Sequence, residues 1–455
     1  MLIATWVITF LIIIGIGVFA GTKIKSSNQW SGGDKSLNVI SLGCIFAAWQ
    51  IGGMAIVGAA QNGYNLGVSG AWYSIAGSFY FIAIAFFAKI IREKMPGDSV
   101  PNYLENRFGI APSRLYSYAW IIYGFLYIPI QLKTVSSIIQ IVIPGLDPKI
   151  AIFIGLTIAV VYTSFSGMKG ASAVGRVVCI GIYVLLIAFV FQTLPKFNGF
   201  SAMLSTLPKE YSSFTNMPIQ RIIAWIGGGC LSTAVMQSVL QPLLSAKDPI
   251  TAKNGAILGY FLAAPICLFT AMCGIFAAAA GANLGDGATA FAWSVKEFSN
   301  PIFAGIIFAF ATMIIAATMA TMMLATGTII TNLYKTEINP KADDEKVLKF
   351  SKTVTFIFAY LTLIPTLIIP SQSLTNIFLT LQHVAAAPVS FSILGGLLWK
   401  KCTKEGSFWS MLIGMIVGIV WMLLGLTDKL EAIYPVVLVS YSIGIIVSLK
   451  TYKGE

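Results

Sequence analysis

The sequence predicts an all-α polytopic membrane protein of about 13 transmembrane helices, and two observations carry that reading. Hydrophobic residues make up 57% of the 455 positions and charged residues 10%, where soluble domains hold roughly 45–50% and about 25%. The apolar residues also gather in runs of about 20, the length that crosses a bilayer as a helix. Thirteen such runs follow in order, near 2–21, 39–61, 67–91, 112–143, 149–167, 174–195, 219–244, 254–279, 301–330, 350–370, 374–399, 406–426 and 433–449. The tenth and eleventh are separated only by Pro370-Ser-Gln-Ser-Leu374, and the longest polar connection, Thr331 to Lys349, reads as a solvated charged loop. The first run has no basic residue before it and no small-residue cleavage site after it, so it is expected to remain as a helix.

The second run carries a glycine pair, Gly52 and Gly53, near its middle, and the seventh carries Gly227-Gly228-Gly229. In lipid every backbone amide needs an internal partner, so an interrupted helix is tolerated only where it faces protein or a cavity. Two such interruptions in corresponding places of two halves point to the binding site of a secondary transporter. The second to sixth and seventh to eleventh runs each hold five crossings, so the second set enters from the opposite side. This gives a five-plus-five inverted repeat with two discontinuous helices, 39–195 and 219–399. Residues 1–38 add an N-terminal helix and loop, and 406–449 add two C-terminal helices.

With the N-terminus outside, 22 of the 29 Lys and Arg fall on cytoplasmic connections and six outside, which fixes a cytoplasmic C-terminus by the positive-inside rule. The net charge of +12 is thereby explained by topology, without nucleic acid. The six cysteines show no CxxC pair and mostly lie in apolar runs, so neither a disulfide framework nor a zinc site is expected. Without an intramembrane carboxylate, and with a single histidine, no acid/base or metal constellation of an enzyme is visible.

Several stretches resemble the sodium:solute symporter family. They are Trp30-Ser-Gly-Gly-Asp-Lys-Ser-Leu37, Tyr162-Thr-Ser-Phe-Ser-Gly-Met-Lys-Gly170, Gln241-Pro-Leu-Leu-Ser-Ala-Lys-Asp-Pro249, Ile330-Thr-Asn-Leu-Tyr-Lys335 and Leu398-Trp-Lys-Lys-Cys-Thr-Lys-Glu-Gly406. Each is weak alone, but the five stand in order at matching topological positions. The resemblance implies a LeuT-type fold, alternating access and no cofactor beyond sodium as coupling ion. It also implies an ion held by the carbonyls of Ala48 and Ile51, a carbonyl near Ile314, and a hydroxyl pair on the ninth helix. That pair reads Ala317-Thr318 here, and Thr321 shares the helical face of Ile314, Ala317 and Thr318. Where the family often has Thr-Asp beside the ion's exit, this chain has Gly175-Arg176.

For the solute, the broken helices offer Trp49, Gln50, Gly52, Gly53, Met54, Trp225, Gly228, Ser232 and Gln237. Half-helix N-termini carry partial positive charge and suit anionic groups. Lys133 lies about ten residues from Pro144, roughly 15 Å inside the helix end, where a lysine is by default a functional residue. Three roles are open to it: pairing with an anionic substrate, carrying a proton or replacing a cation, and bonding to helix carbonyls. His383 can serve a proton relay or pack with a hydrogen bond, and Gln382 beside it is a further substrate candidate. The expected function is sodium-coupled import of a small organic, carboxylate-bearing solute across a bacterial inner membrane. A sodium-independent or proton-coupled carrier, or a non-transporting sensor, is the alternative.

Overall fold

The computed structural model describes residues 1–21, 30, 35–95, 99–368 and 374–454. Among them every regular element is a helix, and the one β contact is an isolated parallel bridge between Leu37 and Ala246. Among the described residues nine helices are long and apolar enough to cross a membrane, and a tenth span is bent by 59° between Ile219–Val235 and Gln237–Leu244. Shorter apolar helices include Leu2–Gly17, Val39–Gln50 and Pro148–Thr163. Helix length and composition alone thus support nine to ten of the thirteen crossings expected from sequence.

The first broken helix interrupts where its glycines stand. Asn38 caps Val39–Gln50 by accepting from the Ser41 amide at 2.9 Å, and the helix ends at Ile51 with φ −83° and ψ 54°. It resumes as a π-helical turn, Met54–Gly58, and continues as Ala59–Leu66. The freed Gly53 amide donates to Gln131 Oε1 at 2.8 Å, so the break satisfies the rule against unpaired backbone in lipid. A side chain on Gly53 would collide with Gln131 and Thr134, and one on Gly52 would sit 3.1 Å from the Thr318 hydroxyl.

The second broken helix corrects the sequence reading. Gly227, Gly228 and Gly229 all lie inside the regular helix Ile219–Leu231. The chain breaks later, from Ser232 (φ −120°, ψ −59°) through the 3-10 turn Thr233–Val235 to Met236 (φ −73°, ψ 143°). Two of these glycines serve close packing instead. A methyl at Gly228 would strike the His383 ring, and one at Gly229 would lie 3.0 Å from the Gly77 carbonyl oxygen.

Helical backbone runs unbroken over Pro148–Thr193, across the two runs that the sequence separates. Yet the same point beside Gly17 is 2.8 Å from Val174 and 3.3 Å from the Tyr162 ring. Twelve residues of straight helix span about 18 Å, beyond the reach of those side chains. The chain therefore turns back between Tyr162 and Val174, and its two limbs pack on the same N-terminal helix.

Other connections differ from their expected form. The stretch from Thr331 to Lys349 is largely helical: Pro301–Leu333 runs on through Tyr334–Ile338, and Asp344–Leu361 follows. Asp343 caps the latter by accepting from the Lys346 amide at 2.8 Å, and acidic Asp344 and Glu345 occupy its first turn, where the helix dipole favours them. The connection 370–374 falls almost wholly outside the described residues, as do 31–34 of the Trp30–Leu37 stretch. Leu37 itself donates to the Ser245 carbonyl and accepts from the Lys247 amide, both at 3.1 Å, tying the entry of the first broken helix to the exit of the second.

Backbone sits against backbone at Gly63, whose Cβ position is taken by the Ala271 carbonyl. Gly63→Ala should therefore cost about 1–3 kcal/mol, the usual cost of overpacking, and lower the apparent Tm in detergent. Gly15→Ala, with no atom within 4 Å of the new methyl, should leave it unchanged.

Candidate functional site

One cavity lies where the two broken helices face Ile110–Val142. Trp49, Gln50, Gly52 and Met54 contribute from the first, Trp225, Gly229, Thr233 and Met236 from the second. Tyr123, Tyr127 and Gln131 come from the long helix, Gln382 and His383 from Leu374–Leu398, and Tyr73 and Gly77 from the short helix Trp72–Gly77. Spacing of four places Tyr123, Tyr127 and Gln131 in one row along their helix. Trp49 stacks on Tyr127 with ring centroids 5.5 Å apart, and Tyr73 meets Trp225 edge-on at 5.8 Å. Gln50 is held by the Tyr80 hydroxyl, which donates to its Oε1 at 3.2 Å. Gln382 donates to the Thr233 hydroxyl.

Among the described residues lining this cavity none is Asp, Glu, Lys or Arg. Its polarity comes from amides, hydroxyls, two indoles and an imidazole. Tyr123 Oη, Trp225 Nε1 and His383 Nδ1 are buried without a protein hydrogen-bond partner. Each such orphan costs roughly 1–3 kcal/mol when left unpaired, so all three are groups that a polar ligand would satisfy.

Beside the cavity, oxygens converge where the first broken helix crosses Pro301–Leu333. Thr318 Oγ1 lies 2.8 Å from the Ala48 carbonyl oxygen and 3.1 Å from that of Ile314. Ile51 closes the half-helix one turn beyond Ala48 and is fully buried. Ala317 is 4% exposed, and its methyl adds no oxygen. The Thr321 hydroxyl donates to the Ala317 carbonyl at 2.9 Å, which places a further hydroxyl one turn along. Arg176 donates to the Ser41 hydroxyl at 2.7 Å, near the start of the same half-helix.

Of the solute candidates from sequence, Trp49, Gln50, Gly52, Met54, Trp225, Gln382 and His383 line the cavity. Gly53, Gly228 and Ser232 stand behind the wall. Gly53 is held by Gln131, Gly228 backs His383, and Ser232 donates to the Gly228 carbonyl. Gln237 is structural: its Oε1 accepts from the Val100 amide at 2.7 Å.

Lys133 is not brought to this wall. It lies two residues from Gln131, about 200° round the helix, and is half-buried on the far side. Tyr73, Tyr123, Tyr127, Gln131 and Thr233 were missed in the sequence. The row Tyr123, Tyr127, Gln131 was the available signal, a polar-edged stripe on an apolar helix, masked by the charge two positions on.

A membrane-spanning helical bundle with two broken helices, a polar-aromatic central cavity and an oxygen cluster at a helix crossing defines a secondary transporter. The sequence profile of the Sodium:solute symporter family matches residues 31–414, and the chain belongs to that family. It is 26% identical over 469 residues to the sodium/glucose cotransporter of Vibrio parahaemolyticus, covering 92% of this chain and 83% of that protein. It is 23% identical over 438 residues to the high-affinity proline transporter of Bacillus subtilis, covering 92% of each. In fold it matches a Na+-coupled sialic acid symporter solved in a substrate-bound outward-open state, with TM-score 0.84 over 99% of this chain and 98% of that one at 14% identity. A nucleobase-cation-symport-1 family transporter matches with TM-score 0.61 at 16% identity, over 94% of this chain and 96% of the other. The protein is a transporter embedded in a membrane and not an enzyme, and sodium is the coupling ion its family implies.

Two substitutions test the oxygen cluster in opposite directions. Thr318→Val should raise the sodium concentration for half-maximal binding roughly tenfold or more, the worth of one polar contact to a charge. Ala317→Ser, which restores a second hydroxyl, should lower it. Sodium titrations of the purified variants by calorimetry check both.

Proposed function

We propose that this chain imports a small, uncharged, polar solute by sodium symport, with the cavity of Trp49, Tyr127, Gln131, Trp225, Gln382 and His383 as its solute site. The observation that carries the solute class is that, among the described residues, the wall holds no Asp, Glu, Lys or Arg and has three orphaned hydrogen-bonding groups. Flat aromatic faces with amide and hydroxyl edges suit a hydroxyl- or amide-bearing ring. A carboxylate fits less well. Lys133, the residue that suggested it, stands off the wall, and the half-helix amide at Gly53 already binds the neutral Gln131 side chain.

Ala48, Ile51, Ile314, Thr318 and Thr321 form the proposed sodium site, with Ala317 contributing only its carbonyl. The Thr318 hydroxyl has two carbonyl acceptors within reach, Ala48 at 2.8 Å and Ile314 at 3.1 Å. Turning to Ile314 frees both the Thr318 and Ala48 oxygens to face a cation. An ion held there joins the first repeat, 39–195, to the second, 219–399, so ion and solute together stabilise the state in which both are enclosed. The surplus of Lys and Arg on one set of connections supports an outside N-terminus in a plasma membrane.

The missing hydroxyl at Ala317 favours a second reading, a carrier of the same fold driven by protons or by the solute gradient alone. Uptake into proteoliposomes under an inward sodium gradient, against an equal potassium gradient, separates the two. The proposal expects sodium-dependent accumulation of neutral sugars, polyols or cyclic amides, and equal uptake in potassium contradicts it. Lys133→Met should leave solute affinity within about twofold, as expected of a side chain that does not touch the ligand; a large loss would return the substrate's charge to consideration.

A further inference from the structure

Two adjoining clefts open at the end of the bundle where Lys94, the helix Val100–Phe108 and the start of Lys404–Leu423 meet. One is lined by Arg107, Lys400, Lys404, Glu405 and Lys453 together with Thr403. The other is lined by Lys94, Arg107, Lys400, Tyr103 and Trp399. Arg107 and Lys400 belong to both, so the two form one basic recess of five cations. Among the described lining residues Glu405 is the one acid, 3.7 Å from Lys404, so the recess keeps an excess of four positive charges.

Lys94 Nζ donates to the Leu397 carbonyl at 2.8 Å and Arg107 Nη2 to the Cys402 carbonyl at 3.2 Å. These bonds fix the two cations in place at the end of Leu374–Leu398 while leaving further N–H groups of each. Tyr103 supplies an independent sign of a ligand. It is 3% exposed and lines the recess, and its buried hydroxyl has no protein partner. Leu398 at the rim is 54% exposed, and Trp399 beside it is the residue type that settles at a membrane's polar boundary.

We propose that this recess binds the phosphate of an anionic phospholipid, with Lys400 and Lys404 as charge partners, Tyr103 as hydroxyl donor and the acyl chains along Leu398. Clustered cations with a phenol donor match a phosphodiester, and basic pockets between transmembrane helices favour anionic headgroups. The site is remote from the cavity residues, so it rests on the membrane architecture and not on the identity of the solute. It would anchor the helix Leu374–Leu398, whose middle turns carry Gln382 and His383.

The test is lipid retention by the full-length protein in detergent, read by native mass spectrometry. The two lipids are phosphatidylglycerol and phosphatidylcholine of the same acyl chains, with inorganic phosphate as the soluble arm. The proposal expects selective retention of one phosphatidylglycerol, weakened roughly fivefold for each charge removed in Lys400→Gln and Lys404→Gln. Tyr103→Phe should also reduce the preference, whereas Lys341→Gln, outside the recess, should not change it. Equal retention of the two lipids, unchanged selectivity in the lysine variants and Tyr103→Phe, or displacement by inorganic phosphate at equal concentration would overturn it.

Discussion

The structure depends on one hydrogen bond across the first broken helix, from the Gly53 amide to Gln131. In water the loss of a helical turn is repaired by solvent. In a bilayer it must be repaired by protein, and Gln131 does so from the long helix Ile110–Val142. With that amide secured, the helix can end at Ile51 and restart at Met54. The ended half then directs the Ala48 carbonyl toward Thr318, and the restarted half presents Met54 to the cavity. The proposed ion site and the proposed solute site are thus two consequences of one interruption.

The second broken helix solves the same problem differently. Its glycines are used to bring His383 and the Gly77 backbone close, and the chain breaks three residues after the last of them, at Ser232. The resulting 59° bend places Thr233 and Met236 on the cavity and sends Gln237 to the Val100 amide. The two halves therefore meet at one cavity although their glycines do different work. The latch between Leu37 and the Ser245–Lys247 backbone joins their far ends.

Much of this was legible in the sequence because the bilayer imposes a strict length and pairing rule. The apolar runs, the first break at Gly52 and Gly53, and the crossing of Ala48 with Thr318 followed from those rules and from the family resemblance. Two things were not legible. A glycine triplet signals either unwinding or close packing, and only the neighbour decides; at Gly228 that neighbour is an imidazole 155 positions away. A charged residue such as Lys133 draws attention by cost, while the wall two positions off, at Gln131, is built from neutral groups whose meaning lies in their helical spacing. The turn between Tyr162 and Val174 was legible, because the sequence separates the runs 149–167 and 174–195, although its backbone stays helical in character.

The central claim is that a sodium ion binds at the crossing of the first broken helix with Pro301–Leu333. Hydrogen–deuterium exchange of the purified protein in sodium against potassium tests it most directly. The account predicts that sodium slows exchange in the segments around 48–56 and 314–321, and that Thr318→Val abolishes the difference. Identical exchange in the two salts, or sodium protection confined to other helices, would contradict it.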